Sequence, residues 1–298
     1  MVTIIIVTFN SENFIRKCIE SIYDKTKEID FEIIVVDNNS SDRTTEIIYR
    51  EFKNVRLIRN RRNVGFGAAN NIAIARSAGE FIMLLNPDTV LENNAIRILV
   101  DHLKRDPKIG CAGAKLQYFD GTLQLSCRKF PNYINVFFGR RSIIRHLFPK
   151  NPVSREFMLE NMDYNCVQEV DWIMGAAMIM RRSTIEEIGS FDESYFLFVE
   201  DTDLCYRMMM ASKKVVYVPS AHIRHFHGAS VSKGFSKAQL HHNIGMYKFF
   251  RKHSIPKNKL LEFVLYCAIL IRLSIVFATE QIITILNFFR RKPMEEYR

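Results

Sequence analysis

Glycine and proline are scarce in this chain, with 12 and 8 among its 298 residues. So small a share excludes a collagen-like or low-complexity protein. Apolar residues make up 48% and charged residues 25%, a composition that excludes disorder and provides a sizeable core. The length is enough for one large domain or two small ones.

Long apolar runs and paired cysteines are also missing. The longest uninterrupted apolar run, residues 263–271, is shorter than the about 20 residues that span a bilayer, which excludes a polytopic membrane protein. The N-terminus has no basic segment of the kind that opens a signal peptide, so we expect no secretion signal. The six cysteines form no CxxC pair and have neither zinc-site nor disulfide spacing, so we expect buried free thiols in a reducing cytoplasm.

Acidic residues are fewer than basic ones, 32 against 42, which leaves a net charge of +10. A basic surplus favours an anionic partner such as a nucleic acid, a phosphate-bearing ligand or a lipid surface, although a generally basic surface would have the same charge. Nucleic-acid binding is not expected because helix-turn-helix and zinc-finger spacings are absent. The sequence also lacks phosphate-loop and nucleophile-elbow motifs, and Asn70 stands where a dinucleotide fingerprint beginning at Gly65 would require Gly or Ala.

Strand and helix patterns alternate through the first ninety or so residues. Continuous apolar runs predict strands at residues 4–7, 31–36, 55–58 and 81–85. Between them, apolar residues at helical spacing (Ile15, Cys18, Ile19, Ile22) and the stretch 68–77 predict helices. This order predicts an α/β protein whose mostly parallel sheet has helices on both faces.

Polar clusters follow three of these strands: Thr8-Phe9-Asn10, Asp37-Asn38 and Asn86-Pro87-Asp88. Ligands of open α/β sheets bind beyond the carboxyl ends of the strands, so these clusters are expected to line one crevice. Asn and Asp also make ordinary turns and helix caps, which remains the alternative for each cluster taken alone.

The second half of the chain is less regular. Residues 108–170 have few long apolar runs and are basic, which is typical of a binding loop or of a solvated surface. From Trp172 to Met180 the sequence is apolar, and Gly175-Ala176-Ala177 at its centre would permit close approach of a ligand or another backbone.

Acidic residues cluster behind an aromatic segment. Glu200, Asp201 and Asp203 follow Phe196-Leu197-Phe198 and open a predicted helix. Carboxylates at a helix start are stabilised by its dipole, and a carboxylate beside an apolar segment can also act as a general base. A predicted strand at 215–218 is followed by His222, His225 and His227, which indicate a metal or phosphate site only weakly.

Seven segments in this order resemble the family 2 inverting glycosyltransferases of the GT-A fold, and among them the bacterial rhamnosyltransferase-like group. The resemblance covers about residues 1–250 and implies a Rossmann-like, mostly parallel sheet with flanking helices. The segments are Val7-Thr8-Phe9-Asn10, Val35-Val36-Asp37-Asn38-Asn39-Ser40, Asn63-Val64-Gly65-Phe66-Gly67, Leu85-Asn86-Pro87-Asp88, Gly175-Ala176, Glu200-Asp201-Thr202-Asp203 and His225-Phe226-His227-Gly228-Ala229-Ser230.

The resemblance implies a nucleotide-sugar donor and a divalent metal. Thr8 and Asp37 would contact the pyrimidine base, and Asn63 and Asn70 would lie near the base, ribose or diphosphate. Asp88 and His225 would bind Mg²⁺ or Mn²⁺, with Asn86 in place of the first Asp of the family's Asp-x-Asp motif. The implied nucleotide-binding residues are Thr8, Asn10, Asp37, Asn39, Asn63, Gly65, Asn70 and Asn86.

The resemblance also implies the reaction, a single displacement with inversion in a metal-dependent hexosyltransferase. Asp201 matches the family's general base and Glu200 is its rival, while Asp203 would cap or orient the helix. The implied sugar and acceptor residues are Asp171, Trp172, Gly175 and Ala176. The expected donor is dTDP-L-rhamnose and the acceptor a lipid-linked glycan or a polysaccharide; a UDP-hexose donor, or a non-catalytic carbohydrate- or nucleotide-binding protein, remains the alternative.

The last part of the chain is apolar but interrupted by charge. We expect a catalytic domain at residues 1–255 and a helical tail at 256–298, flanked by lysines and arginines. Such a helix is typical of one that lies in a membrane interface, which predicts a peripheral protein on the cytoplasmic face of the cell membrane. The alternatives are a helix packed on the catalytic domain or in a homodimer interface.

Overall fold

Strands and helices alternate through the first part of the chain, as the sequence predicts. The computed structural model describes residues 1–132, 148, 151–226, 235–253, 260, 263–264, 266–271, 273–274 and 278. The first elements are β1 (Val2–Thr8), α1 (Ile15–Lys25), β2 (Phe31–Asp37), α2 (Thr44–Glu51), β3 (Arg56–Arg59), α3 (Phe66–Ile74) and β4 (Phe81–Leu85). The four predicted strands are therefore confirmed, and α3 begins and ends slightly earlier than its periodicity indicates.

The later elements are shorter and more varied. They are β5 (Thr89–Leu91), α4 (Ala95–Arg105), β6 (Ile109–Gln117), β7 (Leu123–Gln124), β8 (Cys127–Arg128), α5 (Pro152–Phe157), β9 (Gln168–Glu169), β10 (Trp172–Ile173), β11 (Ala177–Arg181), α6 (Arg182–Ile188), α7 (Glu200–Met210), β12 (Lys214–His225) and α8 (Phe235–His253). The apolar stretch at 172–180 is thus two strands joined through Gly175. The strand predicted at 215–218 extends to His225, with a register shift between Val218 and His222.

Eight of the described strands follow the order β3-β2-β1-β4-β11-β6-β12-β5 in one mixed, mostly parallel sheet, to which β7 and β9 add by pairing with β6 and β12. Strands β8 and β10 form a separate two-stranded antiparallel sheet. Strand β1 pairs in parallel with β2 and β4, whereas β11 is antiparallel to both β4 and β6. The carboxyl ends of β1, β2 and β4 consequently meet at one edge, which is where the predicted polar clusters lie. The antiparallel β11 begins at this same edge, so the segment before it also borders the crevice.

Helices cover both faces of the sheet, which explains the continuous apolar runs. Ile4 and Ile6 join the core beneath α1, α2 and α4, while Ile5 joins the core beneath α3 and α7. Because successive side chains of a strand point to opposite faces, a strand buried on both faces needs apolar residues at every position.

Strand β6 is the element that the sequence pattern did not reveal, because it lies in the stretch interpreted as irregular. Its residues are small, and Gly113 shows why: a Cβ there would lie 2.5 Å from Ile173 Cγ2. Close packing against β10 therefore replaces the large side chains by which a buried strand is usually detected. Residues 133–147 and 149–150, which carry much of the predicted basic stretch, lie outside the described residues.

A third apolar cluster lies under α8 and includes Tyr195, Val199, Phe249, Phe250 and Ile269. The described residues between 260 and 278 are helical, and Ile269 is buried in this cluster. Within the described part of the chain, no helix is both long enough and apolar enough to cross a membrane.

The six cysteines are free thiols. Burial matches the prediction for Cys18, Cys111, Cys127 and Cys205, whereas Cys166 is exposed and Cys267 half-buried, so the prediction is wrong for those two.

Candidate active site

Thr8 and Asp37 end neighbouring strands and lie opposite each other in register. The Thr8 hydroxyl donates to Asp37 Oδ1 at 2.9 Å, and Ser40 donates its backbone N–H to Oδ2 at 2.9 Å. Both side chains are almost completely buried. The carboxylate predicted to contact the base is therefore held in place by Thr8 of the neighbouring strand and by Ser40 of its own loop.

The two loops at this rim are tied together by Asn10. Its Oδ1 accepts from Ser41 N–H at 2.8 Å, and its own N–H donates to Ser40 Oγ at 2.9 Å. Asn10 and Asn39 are both exposed and both have left-handed backbones, with φ of 52° and 66°. Asn tolerates that conformation better than most residues, so both positions support the loop geometry while leaving amide groups accessible.

A chain of amide contacts leads from β2 to the start of α3. Asn38 donates to the Gly65 carbonyl at 3.1 Å, and the Gly65 N–H donates to Asn63 Oδ1 at 2.9 Å. Gly65 has φ of 92°, and a Cβ there would lie 2.3 Å from the Phe196 carbonyl oxygen. Only glycine fits this close approach. Asn70 is buried and donates to the Phe66 carbonyl at 2.9 Å, while its Oδ1 is buried without a hydrogen-bond partner among the described residues.

His225 and Asp88 meet at the end of β12, where His225 pairs with Thr89. His225 Nε2 lies 3.3 Å from Asp88 Oδ1 and 3.3 Å from Asn86 Nδ2. On the other side of the ring, Nδ1 lies 2.7 Å from Gln124 Oε1. Because a carbonyl oxygen only accepts, Nδ1 carries a hydrogen, and Nε2 is the ring nitrogen that faces the Asp88 carboxylate.

An approach of this kind between a ring nitrogen and a carboxylate oxygen is stabilised by a cation between them, either a proton or a metal ion. Two adjacent octahedral ligands at about 2.1 Å from a metal are about 3 Å apart, which matches this separation. The hydrogen bond from Nδ1 to Gln124 is the kind of contact that orients a metal-binding imidazole. The residues present therefore fit a divalent ion, although within the described residues no three His, Cys, Asp or Glu side chains form a cluster.

Glu200 and Asp201 open α7 on the other side of the crevice. Asp201 is half-buried; its Oδ2 accepts from Gly175 N–H at 3.0 Å and its Oδ1 from Thr202 N–H at 2.7 Å. Burial raises the pKa of Asp201, although these two backbone hydrogen bonds oppose the rise. Glu200 is almost completely buried, and its pKa is raised by that burial and by the charge of Asp201.

Comparison with known proteins gives the family of this chain. Residues 3–189 match the family model described as "Glycosyl transferase family 2". This chain belongs to glycosyl transferase family 2. An N-acetylglucosaminyl-diphospho-decaprenol L-rhamnosyltransferase of Mycobacterium tuberculosis is 30% identical over 74% of this chain and 75% of its own length. Rhamnosyltransferase WbbL of Escherichia coli is 28% identical over 87% of this chain and 96% of its own length.

The solved structures show the fold of this glycosyltransferase to be GT-A-like. One of them is the mannosyltransferase PcManGT from Pyrobaculum calidifontis, in complex with GDP-Man and Mn²⁺. It is 17% identical with a TM-score of 0.58, and the match covers 93% of this chain and 74% of that one. The glycosyltransferase is thus a member of the rhamnosyltransferase-like group with the expected fold.

Asp171 and Trp172 of the glycosyltransferase border the site beside β10. Asp171 Oδ2 accepts from Phe130 N–H at 2.7 Å, and the Trp172 indole N–H donates to the Lys129 carbonyl at 2.9 Å. These bonds attach the 127–130 segment to β10 and its preceding residue, and the Trp172 side chain is half-buried.

Gly175 and Ala176 of the glycosyltransferase lie between the two halves of the site. The Ala176 carbonyl accepts from Asn86 N–H at 2.9 Å, while Gly175 N–H donates to Asp201. A Cβ at Gly175 would lie 3.2 Å from Phe66 Cε1. Two consecutive residues therefore connect the Asn86-Pro87-Asp88 turn to the Asp201 carboxylate.

Asp203 does not cap α7 in the glycosyltransferase; it is the centre of a buried ion-pair network. Its side chain has 0% exposure and lies 2.8 Å from Arg207, 2.9 Å from Lys252 and 2.7 Å from His253. Burial by itself would raise the pKa of Asp203, but hydrogen bonds from His253, Lys252 and Arg207 outweigh it and hold that pKa well below the ordinary value. The network joins α7 to α8.

The histidines of the glycosyltransferase do not act as one group. His222 and His225 are three residues apart on β12, so their side chains point to opposite faces of the sheet. His227 lies outside the described residues, as do 228–230 of the same segment. The sequence does not predict a role for Gln124. It lies in a two-residue strand, and no local pattern relates it to His225, which is 101 positions away in the chain.

Proposed function

We propose that this glycosyltransferase moves L-rhamnose from dTDP-L-rhamnose to a lipid-linked or polysaccharide acceptor, with inversion, in the synthesis of a cell-surface polysaccharide. Its relatives from M. tuberculosis and E. coli are rhamnosyltransferases, which supports rhamnose as the sugar. The observation that carries the enzymatic assignment is the Gly175–Ala176 segment, because it fixes the Asp201 carboxylate relative to the Asp88 turn.

Asp201 would be the general base. An acceptor hydroxyl must lose its proton as it attacks the anomeric carbon, and a carboxylate with a raised pKa is a stronger base than an ordinary one. Its bonds from Gly175 and Thr202 would orient it, since both come from backbone N–H groups. Attack from the side opposite the leaving nucleotide inverts the anomeric centre.

Asp88 and His225 would hold the metal, with Gln124 orienting the imidazole. A divalent ion, when bound, offsets the charge that develops on the departing diphosphate. A carboxylate and an imidazole suit Mg²⁺ or Mn²⁺. The Mn²⁺ in the PcManGT complex supports a divalent ion here as well.

The test is a donor panel with purified full-length protein. dTDP-L-rhamnose, UDP-hexoses and GDP-mannose are each offered with a polyprenyl-diphosphate-linked sugar, and release of nucleoside diphosphate is measured. We expect turnover with dTDP-L-rhamnose and a product of inverted anomeric configuration by NMR. Turnover only with a UDP-hexose would reassign the donor, and binding without nucleotide release from any donor would indicate a non-catalytic protein.

The tail would place the enzyme on the cytoplasmic face of the membrane, next to a lipid-linked acceptor. Its described residues have an exposed apolar set, and the chain carries a net charge of +10. Apolar burial together with attraction to anionic lipids is what binds such helices to a membrane surface. The exposed apolar residues are Leu260, Phe263, Val264, Tyr266, Leu270 and Ile271.

A further inference from the structure

Helix α8 packs directly against the loop that leads into the carboxylate pair. Its His241 ring lies 4.6 Å from the ring of Phe196, centroid to centroid. One turn later, Gly245 faces Val199 so closely that a Cβ at 245 would lie 2.9 Å from Val199 Cγ2 and 3.2 Å from the Phe198 carbonyl oxygen. The absence of a side chain at 245 is what allows this approach.

The loop has an unusual backbone at the point of contact. Phe198 and Val199 are consecutive residues with positive φ, 67° and 72°. A left-handed conformation is unfavourable for a β-branched residue such as valine and persists only where the surroundings impose it. Val199 is buried against α8, and the next two residues are Glu200 and Asp201. The contact with α8 therefore acts on the backbone that directs both carboxylates.

A second contact joins α8 to the first turn of α7. Asp203 lies within the first turn of α7, and its carboxylate oxygen lies 2.7 Å from His253 Nε2 at the end of α8. Val199, two residues before Asp201, packs against Gly245, and Asp203, two residues after it, is bonded to His253.

We propose that Gly245 and His253 are positioning residues, through which α8 holds the Phe198–Val199 backbone in its left-handed form and so sets the direction of the Asp201 carboxylate. The proposal rests on the proposed role of Asp201 as general base. Without these contacts the loop would relax toward an ordinary backbone conformation and turn the first residues of α7. Thr8 and Asp37, the residues predicted to contact the base, are held by each other and by Ser40, so donor binding should change less than turnover.

The first test is Gly245→Ala in the full-length protein. We expect kcat to fall at least tenfold while the donor KM stays within twofold. Gly110→Ala is the matched control, because its Cβ would lie 2.9 Å from Lys213 Cβ at the amino-terminal end of β6, the opposite edge of the sheet. The control should lower the melting temperature but leave kcat unchanged. An unchanged kcat in Gly245→Ala, or an equal loss in Gly110→Ala, would overturn the proposal.

A rescue experiment separates positioning from general destabilisation. Glycine at position 199 accepts a left-handed φ and removes the two nearest atoms, Val199 Cγ2 and Cβ, that the added methyl group at position 245 would meet. Gly245→Ala combined with Val199→Gly should therefore recover most of the lost kcat, a coupling that unrelated sites do not show. Multiplying losses in the double variant would contradict the proposal.

The second contact is tested with His253→Gln and His253→Ala. The glutamine keeps an N–H donor for Asp203 and should retain kcat, whereas alanine should lower it without changing the donor KM. Equal kcat in the two variants would remove His253 from the proposal. Asp201→Asn is measured alongside: if that variant is fully active, the base assignment has failed, whereas an inactive Asp201→Asn with an unchanged Gly245→Ala means that only the positioning role has failed.

Discussion

Gly175 and Asp201 are joined by a 3.0 Å hydrogen bond from the glycine N–H to the carboxylate Oδ2. The bond connects the segment before β11 with the first turn of α7, across 26 positions of the chain. Because Ala176 accepts from Asn86 in the same segment, the proposed base and the proposed metal-binding turn are attached to the backbone of two adjacent residues. The distance between the two halves of the site is thereby set by backbone, which is more rigid than side-chain contact.

Asp201→Asn should lower kcat by about 10²–10⁴, the usual contribution of a general base. The amide preserves shape and still accepts one backbone hydrogen bond, so donor affinity should change little. Glu200→Gln should cost less than Asp201→Asn, because Glu200 is buried and its raised pKa favours the protonated form that Gln resembles. Steady-state kinetics would show this, and near-normal turnover in Asp201→Asn with an inactive Glu200→Gln would move the role of base to Glu200.

Asp88→Ala and His225→Ala should each weaken metal-dependent donor binding. Gln124→Ala should weaken metal affinity by about 10–100-fold, the usual effect of losing the partner of a ligating histidine. Calorimetric titration with Mn²⁺ and Mg²⁺ measures the affinity directly. Full wild-type turnover in excess EDTA would show that these residues serve some purpose other than holding a metal.

The stability of the folded protein should depend on the protonation of Glu200. Its pKa is raised in the folded state, so its contribution to the free energy of unfolding is complete below the ordinary carboxyl pKa and is lost as the pH rises through the raised value. The melting temperature should therefore decline between about pH 5 and about pH 9. Glu200→Gln should flatten that decline, and an unchanged slope in the variant would assign the pH dependence to another group.

Phe263→Asp together with Ile271→Asp should weaken binding to anionic vesicles while leaving the fold intact, since both side chains are exposed. Wild-type binding should weaken as salt rises, and more for anionic than for neutral vesicles. Tyr49→Asp, an equally drastic change at an exposed aromatic on α2, is the control and should bind as wild type does.

Point variants test the membrane role better than a truncation does. The sequence alone would suggest removing residues 257–298. Ile269 is buried against the cluster that contains Phe249 and Phe250, so a truncation would expose both rings. Equal vesicle binding by wild type and the double variant would contradict a membrane role for this face.

Chain order and local periodicity were sufficient to predict the first four strands, the helices between them and the polar turns at the strand ends. Both signals are local, since a strand buried on two faces is apolar throughout and a polar turn follows it directly. Strand β6 escaped detection because close packing against Ile173 selects small residues there, and small residues carry little periodic signal.

Contacts between distant segments were decided by the tertiary structure alone. The partnership of His225 with Gln124, the bond from Gly175 to Asp201 and the packing of Gly245 on Val199 each join residues that no local pattern relates. Asp203 is another example. Its position at a helix start predicts a role in capping or orienting that helix, whereas in the folded protein it is bonded to Lys252 and His253 of α8. The sequence was enough to identify the residue types that could act as a base or bind a metal. Their distances, burial and pKa shifts depend on how the sheet and α8 bring separate segments together.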